Sequence, residues 1–480
     1  MSEAGDKWHP RLEHEVVVIA VHELVDRFGA AVDRHVAALF VGAGLSMQAG
    51  LPSWSSLIRP LADEIGLREL TDMPLAAEYF VQNAAGGRDR LERHLADELS
   101  RVTTPHEGHF LIAQLGVSET WTTNFDPLLE RANPAATVIN IESDATSIGS
   151  GEPVVVKMHG GFEIDGSSVR WQGGPVVTRG DFERYDVEHP RLWALLQASY
   201  LTRTMLFLGF SFTDPNIELL LRLARRQGTA AGNHHLAVLR RPTERDEVVE
   251  HNLRVADLES NGVAVCEIGD FADLVPLLRS IKRRTRPSRL FVAGSGDSTL
   301  QPWCDRLGMV IARHPAWQVA SLGGDAGWWT TRRVGIQRRA ENQYDAEVLR
   351  LYFRRKEGAP PPPLSNRIGT AVFSDLDRHP LVDEVVEECR AMVVIGGGER
   401  TLEEVKLALD AGLGVVPIAA SGGAAHEAWQ AATAPGADPR LLLLGGSAAP
   451  AEPWDRLADA DPFLVERAAS VLLEQAMYWR

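Results

Sequence analysis

From Val36 to the C-terminus, short apolar runs alternate with stretches whose apolar positions recur every three or four residues, the rhythm of α/β proteins built on parallel sheets. The runs Val36–Val41, Glu119–Thr122, Pro153–Met158, Thr204–Leu208, Leu236–Leu239 and Val263–Ile268 predict one series of strands. The amphipathic stretch Phe271–Ile281 predicts a helix packed on that sheet and leads directly into Lys282-Arg283-Arg284-Thr285-Arg286-Pro287-Ser288. Charge beside proline marks a solvated connection, so a linker is expected at residues 283–289. A second series of strands follows at Leu290–Ala293, Trp317–Ser321, Leu351–Phe353, Met392–Ile395, Gly414–Ile418 and Leu441–Leu444. Pro360–Pro363 interrupts it and predicts a surface loop, because proline removes backbone donors and fixes an extended chain. The pattern predicts two Rossmann-like, doubly wound parallel-sheet domains, residues 1–282 and 290–480, with no internal repeat.

Composition narrows the classes of function. At 480 residues, with 45% hydrophobic and 24% charged side chains, the chain is globular and too long for a single core. Its formal charge of -16 argues against bulk nucleic-acid binding, which depends on neutralising phosphates with cations. Cys266, Cys304 and Cys389 form no CxxC pair, so no disulfide framework and no cysteine metal site are expected, only buried thiols in a reducing compartment. The opening MSEAGDKWHP lacks the pattern of a targeting peptide, and apolar runs such as Val16–Val21 are far shorter than a membrane span. A cytoplasmic protein without membrane contact is expected. Val16–Val25 predicts an amphipathic helix, available for packing within the chain or for assembly.

Four strand ends carry candidate chemistry. In Val41-Gly42-Ala43-Gly44-Leu45-Ser46-Met47, two glycines permit a sharp turn and close approach of a ligand, either as a phosphate cradle or as a tight strand-to-helix turn alone. The loop departs from the dinucleotide GxGxxG pattern at Met47 and lacks the ending of a P-loop. In Thr122-Thr123-Asn124-Phe125-Asp126-Pro127, Asp126 and Pro127 suit a helix start. Asn124 has no such task, and its amide suits a ribose hydroxyl or a water. The strand Val154–Met158 delivers His159 into a glycine turn, where imidazole can take a proton near neutral pH. In Gly209-Phe210-Ser211-Phe212-Thr213-Asp214-Pro215, Gly209 and Ser211 could meet phosphate or ribose, while Asp214 and Pro215 cap the next helix.

Taken together, GAGLSMQAGLP, TTNFD, KMHGG and GFSF resemble the sirtuin fold across most of residues 30–270. The resemblance implies that Ala43, Gly44, Ser46 and Asp126 contact NAD, that Asn124 holds the nicotinamide ribose and its water, and that His159 is the base. Gly209 and Ser211 would line the adenosine side. Protein-deacetylating sirtuins usually carry a four-cysteine zinc module, and this chain has no cysteine before Cys266, so no metal is implied. The segments VVTRGDF and GFSFTDP are instead similar to a bacterial sirtuin-like branch of anti-phage defence whose members hydrolyse NAD with water as the nucleophile.

The second half repeats the glycine device at Gly294-Ser295-Gly296, Gly323-Gly324 and Gly396-Gly397-Gly398, three edges suited to a nucleotide. Thr401 and Glu404 fit a capping box, which leaves Glu403 to accept from ribose hydroxyls. The GGG-x-x-T-x-x-E pattern resembles SLOG domains over residues 289–480, and a sirtuin-like domain followed by SLOG resembles the effectors of the Thoeris defence system. That resemblance implies a cyclic ADP-ribose isomer, made by a TIR-domain partner protein, that binds the SLOG domain and releases NAD hydrolysis, with assembly into a homo-oligomer of four or more chains. Such a ligand carries two phosphates, so arginines are expected in its pocket. Arg332, Arg333, Arg354, Arg355, Arg367 and Arg390 are available, with Arg367 and Arg390 placed first by their nearness to the third glycine edge. Gly294, Ser295, Gly323, Gly324, Gly397, Gly398, Thr401 and Glu403 complete the expected effector site. Two other readings stand beside NAD hydrolysis: transfer of ADP-ribose to a macromolecule, and a nucleotide-sensing regulator without turnover.

Overall fold

The computed structural model describes residues 17–148, 151–165, 168–226, 235–355, 368–433, 443–444, 447–448 and 451–478. Two compact units divide the chain, residues 1–24 with 31–275, and residues 25–30 with 276–480.

The first unit is a parallel sheet of β1 (Ala37–Val41), β2 (Glu119–Thr122), β3 (Thr137–Ile139), β4 (Val154–Lys157), β7 (Thr204–Leu208), β8 (His235–Arg240) and β9 (Val263–Ile268), with a separate hairpin of β5 (Gly161–Asp165) and β6 (Ser168–Gln172). Its strand order is β3-β4-β2-β1-β7-β8-β9, so the chain reverses direction of growth beside β1, which pairs with β2 on one side and β7 on the other. Every residue of β1, β2 and β4 is buried, as expected of strands covered on both faces. At such a switch point the carboxyl ends of neighbouring strands part and open a crevice.

The second unit holds another all-parallel sheet, β10 (Arg289–Ala293), β11 (Gln318–Ser321), β12 (Leu349–Arg354), β13 (Thr370–Ser374), β14 (Ala391–Ile395) and β15 (Gly414–Ile418), in the order β13-β12-β11-β10-β14-β15. Here too the first strand lies inside the sheet, between β11 and β14. Of the expected strand at Leu441–Leu444, only Leu443–Leu444 falls among the described residues, and it pairs antiparallel with Ser447–Ala448 outside this sheet. Pro360–Pro363 and Arg367 lie outside the described residues. Among the described residues, no helix is long and apolar enough to cross a membrane.

Two expectations change. The N-terminal helix spans Val21–Asp33 rather than Val16–Val25, and it buries Leu24, Val25, Phe28 and Ala31. The basic run is not a solvated linker: the helix Leu274–Thr285 carries its first four residues, and Arg283, Arg286 and Arg289 are all buried. Arg286 donates to the Cys389 carbonyl at 2.9 Å and pairs with Glu387 at 2.6 Å, while Arg289 reaches Gln318 at 2.8 Å. Arginine buries its aliphatic stem while its guanidinium takes carbonyl and carboxylate partners, so a charge run alone does not imply solvent.

Candidate active site

The four predicted strand ends meet at the carboxyl edge of β4-β2-β1-β7. The glycine loop after β1 is fixed by the loop after β7: Gly42 N donates to the Leu208 carbonyl at 2.9 Å, and Gly44 N to the Gly209 carbonyl at 2.8 Å. Gly209 has φ +61°, and a Cβ there would lie 2.6 Å from Leu45 N. No other residue fits that approach. Gly209→Ala should therefore lower stability by about 1–3 kcal/mol and weaken nucleotide binding, as read by urea denaturation and calorimetry. An unchanged midpoint would show that the loops have room to part.

Asn124 is buried behind this loop. Its Nδ2 donates to the Gly42 carbonyl at 3.2 Å and to Ser46 Oγ at 3.2 Å, and its backbone N donates to Thr122 Oγ1 at 3.0 Å. Thr122 in turn donates to the Val41 carbonyl at 2.8 Å, tying the loops after β1 and β2 together. Both amide hydrogens of Asn124 are thus committed, and among the described residues Oδ1 has no hydrogen-bond partner. Asp126 is buried too, and Oδ1 accepts from Leu128 N at 3.2 Å. The helix begins at Leu128, one residue later than expected, with Pro127 at its N-cap. Lys157, buried at the end of β4, donates to the Asp126 carbonyl and pairs with Glu130 at 2.9 Å, fixing the same turn from below.

His159 is 4% exposed and sits edge-on against Phe182, with ring centroids 5.1 Å apart. Its Nε2 lies 3.3 Å from Asp214 Oδ2, a charge contact without the alignment of a hydrogen bond, so this nitrogen has no hydrogen-bond partner. Burial lowers its pKa from the usual histidine value, and Asp214 opposes that shift. The imidazole is therefore neutral and able to accept a proton, with a carboxylate placed to stabilise the resulting cation. Asp214 also caps its helix as expected, its Oδ1 accepting from Asn216 N at 2.9 Å. Its second role, toward His159, had no local signal in the sequence. Neither had His109, fully buried behind Ser46, with Nε2 3.5 Å from Ser46 Oγ.

Burial pushes the His109 pKa down to about 4. For a histidine lowered in the fold, the unfolded chain binds more protons between about pH 4 and 6.5, so stability is lost as pH falls through that window. His109 contributes up to about 3 kcal/mol of this. The urea midpoint should climb from pH 4 to 6.5 and level off above, and a midpoint flat across that range would contradict the buried neutral state.

Of the remaining expected residues, Ala43 and Ser211 are exposed at the edge, with Ser211 Oγ 2.8 Å from Thr213 Oγ1. The glycine walls, the acceptor Oδ1 of Asn124 and the neutral imidazole of His159 suit NAD: backbone close to a pyrophosphate, an acceptor for ribose or water, and a base.

In the second unit, a cavity of about 1340 Å³ opens at the carboxyl ends of β10, β11 and β12, bounded by Gly294, Ser295, Gly324, Thr401 and Glu403. Gly294 has φ +130°, and a Cβ there would come within 1.9 Å of the Ile395 carbonyl. Gly323, Gly397 and Gly398 shape the adjoining loops without lining the cavity. The helix Glu399–Asp410 starts from Gly398 with no side-chain cap, so the expected Thr401–Glu404 capping box does not form. Glu404 is instead buried and paired with Arg378 at 2.8 Å; burial raises its pKa, and Arg378 opposes this.

Arg390 does not line the cavity. It precedes β14 at the opposite, amino end of the strand, where it is buried and donates to the Arg286 carbonyl at 2.6 Å. Nearness in sequence to a glycine edge misled there, because a strand separates the two. Arg332 and Arg333 also lie off the cavity, whereas Arg354 and Arg355 line it. Arg378, which no local motif marks, lines it as well and pairs with Glu403 at 2.6 Å.

The doubly wound sheet, the glycine loop locked to β7 and the Asn124–His159 edge define a SIR2-like protein, and residues 118–259 match the SIR2-like domain family. The chain is 32% identical over 324 residues to the NAD(+) hydrolase ThsA of Enterococcus faecium, covering 62% of this chain and 66% of that protein. It is 27% identical to the NAD(+) hydrolase ThsA of Bacillus cereus, covering 85% and 90%, and 29% identical to that of Acinetobacter baumannii, covering 65% and 67%. The chain belongs to the ThsA family.

Proposed function

We propose that this protein is an NAD+ glycohydrolase of anti-phage defence, acting by NAD depletion and gated by a cyclic ADP-ribose-type nucleotide bound in the second unit. The observation that carries the first half is the pairing of Asn124, its amide hydrogens committed and its Oδ1 available, with a buried neutral His159 on one sheet edge. The ThsA relatives, named as NAD(+) hydrolases, support it.

In the reaction, the C–N bond between ribose and nicotinamide breaks, and nicotinamide leaves with the bonding pair. The ribose becomes oxocarbenium-like, and water adds to it, giving ADP-ribose and a proton. Asn124 Oδ1 accepts from a ribose hydroxyl or the water. His159 takes the proton, and Asp214 stabilises the imidazolium. The Gly42–Gly44 backbone, with Ala43, Ser46 and Asp126, holds the dinucleotide, while Gly209 and Ser211 border its adenosine side. Because burial lowers the His159 pKa, the acid limb of kcat/KM should fall below the ordinary histidine value, and the Asp214→Asn substitution should move that limb lower still.

For the second half, the support is a nucleotide-sized cavity lined by Arg354, Arg355 and Arg378 beside Glu403. Arginines there suit two phosphates, and Glu403 suits a ribose. In this reading the second unit is a SLOG-type sensor, the signal comes from a TIR-domain partner, and the active form is a homo-oligomer. Nicotinamide release from NAD, measured by chromatography with and without a panel of cyclic ADP-ribose isomers, tests both halves. Turnover that rises with one isomer supports the whole reading. Bound NAD without turnover under any condition overturns it, and label retained on a macromolecule redirects it to ADP-ribose transfer.

A further inference from the structure

We infer that His109 is a positioning residue for NAD cleavage, holding Asn124 through Ser46 so that the amide turns only its Oδ1 to the cleft. The inference rests on the reading of the first unit as an NAD hydrolase. It follows from an inventory of hydrogens. The Gly42 carbonyl can only accept, so the Asn124 group 3.2 Å from it must be the NH2, and the amide cannot be flipped. The second hydrogen of that NH2 goes to Ser46 Oγ at 3.2 Å.

His109 approaches Ser46 from the other side. Its Nδ1 accepts the backbone N–H of His106 at 3.2 Å, so in the neutral ring the proton sits on Nε2, the nitrogen facing Ser46 Oγ at 3.5 Å. Burial keeps the ring neutral, which preserves this tautomer. Two N–H groups then converge on Ser46 Oγ and occupy its acceptor capacity. The hydroxyl hydrogen of Ser46 then finds no acceptor on either neighbour, which leaves Ser46 as a donor to bound nucleotide and Asn124 as an acceptor. The relay therefore fixes the polarity of both side chains at the cleft.

Two substitutions separate this role from helix capping. His109→Asn keeps an acceptor for His106 N but cannot reach Ser46. His109→Gln extends a donor toward Ser46 and gives up the acceptor position. If His109 acts through Ser46, H109N should lower kcat about 10–100-fold with KM for NAD little changed, and H109Q should stay near the parent. A merely structural cap predicts the reverse ranking, with H109Q the poorer protein in thermal melting.

Ser46→Ala closes the cycle: adding H109N to S46A should cost no further kcat, because the two substitutions interrupt one relay. Additive losses, or H109N at the parent rate, would overturn the inference while the parent enzyme still turned over NAD. A parent that released no nicotinamide with its activating nucleotide present would overturn the underlying reading itself.

Discussion

His159→Ala is expected to slow nicotinamide release by about 10²–10⁴-fold, the usual loss when a general base is removed, while the protein still binds NAD. Asn124→Ala is expected to fall as far, for a different reason. Removing the amide takes away the acceptor for ribose or water and also releases the Gly42 carbonyl and Ser46, so both kcat and KM should worsen. His159 makes no hydrogen bond through Nε2, and Asp214, its charge contact at that atom, keeps the backbone N–H of Asn216 on its other oxygen, so His159→Ala should fold. The measurement is single-turnover nicotinamide release beside a circular dichroism melt. A folded His159→Ala protein that destroys NAD at the parent rate would remove His159 from the chemistry.

The second large effect is expected in the cavity of the second unit. Arg378→Ala should abolish activation by a cyclic ADP-ribose isomer without touching basal NAD binding. Arg378 reaches both Glu403 and Glu404, and a phosphate arriving at the cavity offers its guanidinium a competing anionic partner. A charge-assisted hydrogen bond is worth about 1.5–3 kcal/mol, or roughly 10–100-fold in affinity for the activator. Removing Arg378 also leaves the buried Glu404 carboxyl without its counter-charge, and that group would then bind a proton more readily. Glu403→Ala should likewise lose activation while keeping the fold, since that carboxylate is 64% exposed. Titration calorimetry with the isomer checks both, and unchanged activation in either variant would take that residue out of the site.

What could be read from the chain divides along a physical line. Central strands are covered on both faces, so their apolar runs are continuous, and β1, β2, β4, β7 and β9 fell where the pattern put them. Edge strands need less apolar surface. The short β3 (Thr137–Ile139) and the half-buried β13 (Thr370–Ser374) escaped for that reason. The glycine loops, Asn124 and His159 were legible because each follows its strand directly, and parallel strands bring their carboxyl ends to one edge. His109, the second face of Asp214, and Arg378 were not, since each acts on a partner remote in sequence and looks locally like a helix residue or a cap. Arg390 failed in the opposite sense: closeness along the chain was read as closeness in space, with β14 lying between. The basic run before β10 shows a similar limit, because charge predicts solvent only where no carbonyls wait to be bound.

The pairing of β1 with β7 has a consequence for the order of events during synthesis. Ala37 is held against Thr204, and the loop of Gly42 is completed by Gly209, so β1, β2 and β4 all leave the ribosome before the strand that shapes the cleft exists. Contacts so distant along the chain form late and slowly. A nascent or truncated chain ending before Thr204 therefore carries Asn124 and His159 without the Gly209 wall, and on the proposed reading of this site it consumes no NAD until most of the first unit has been made.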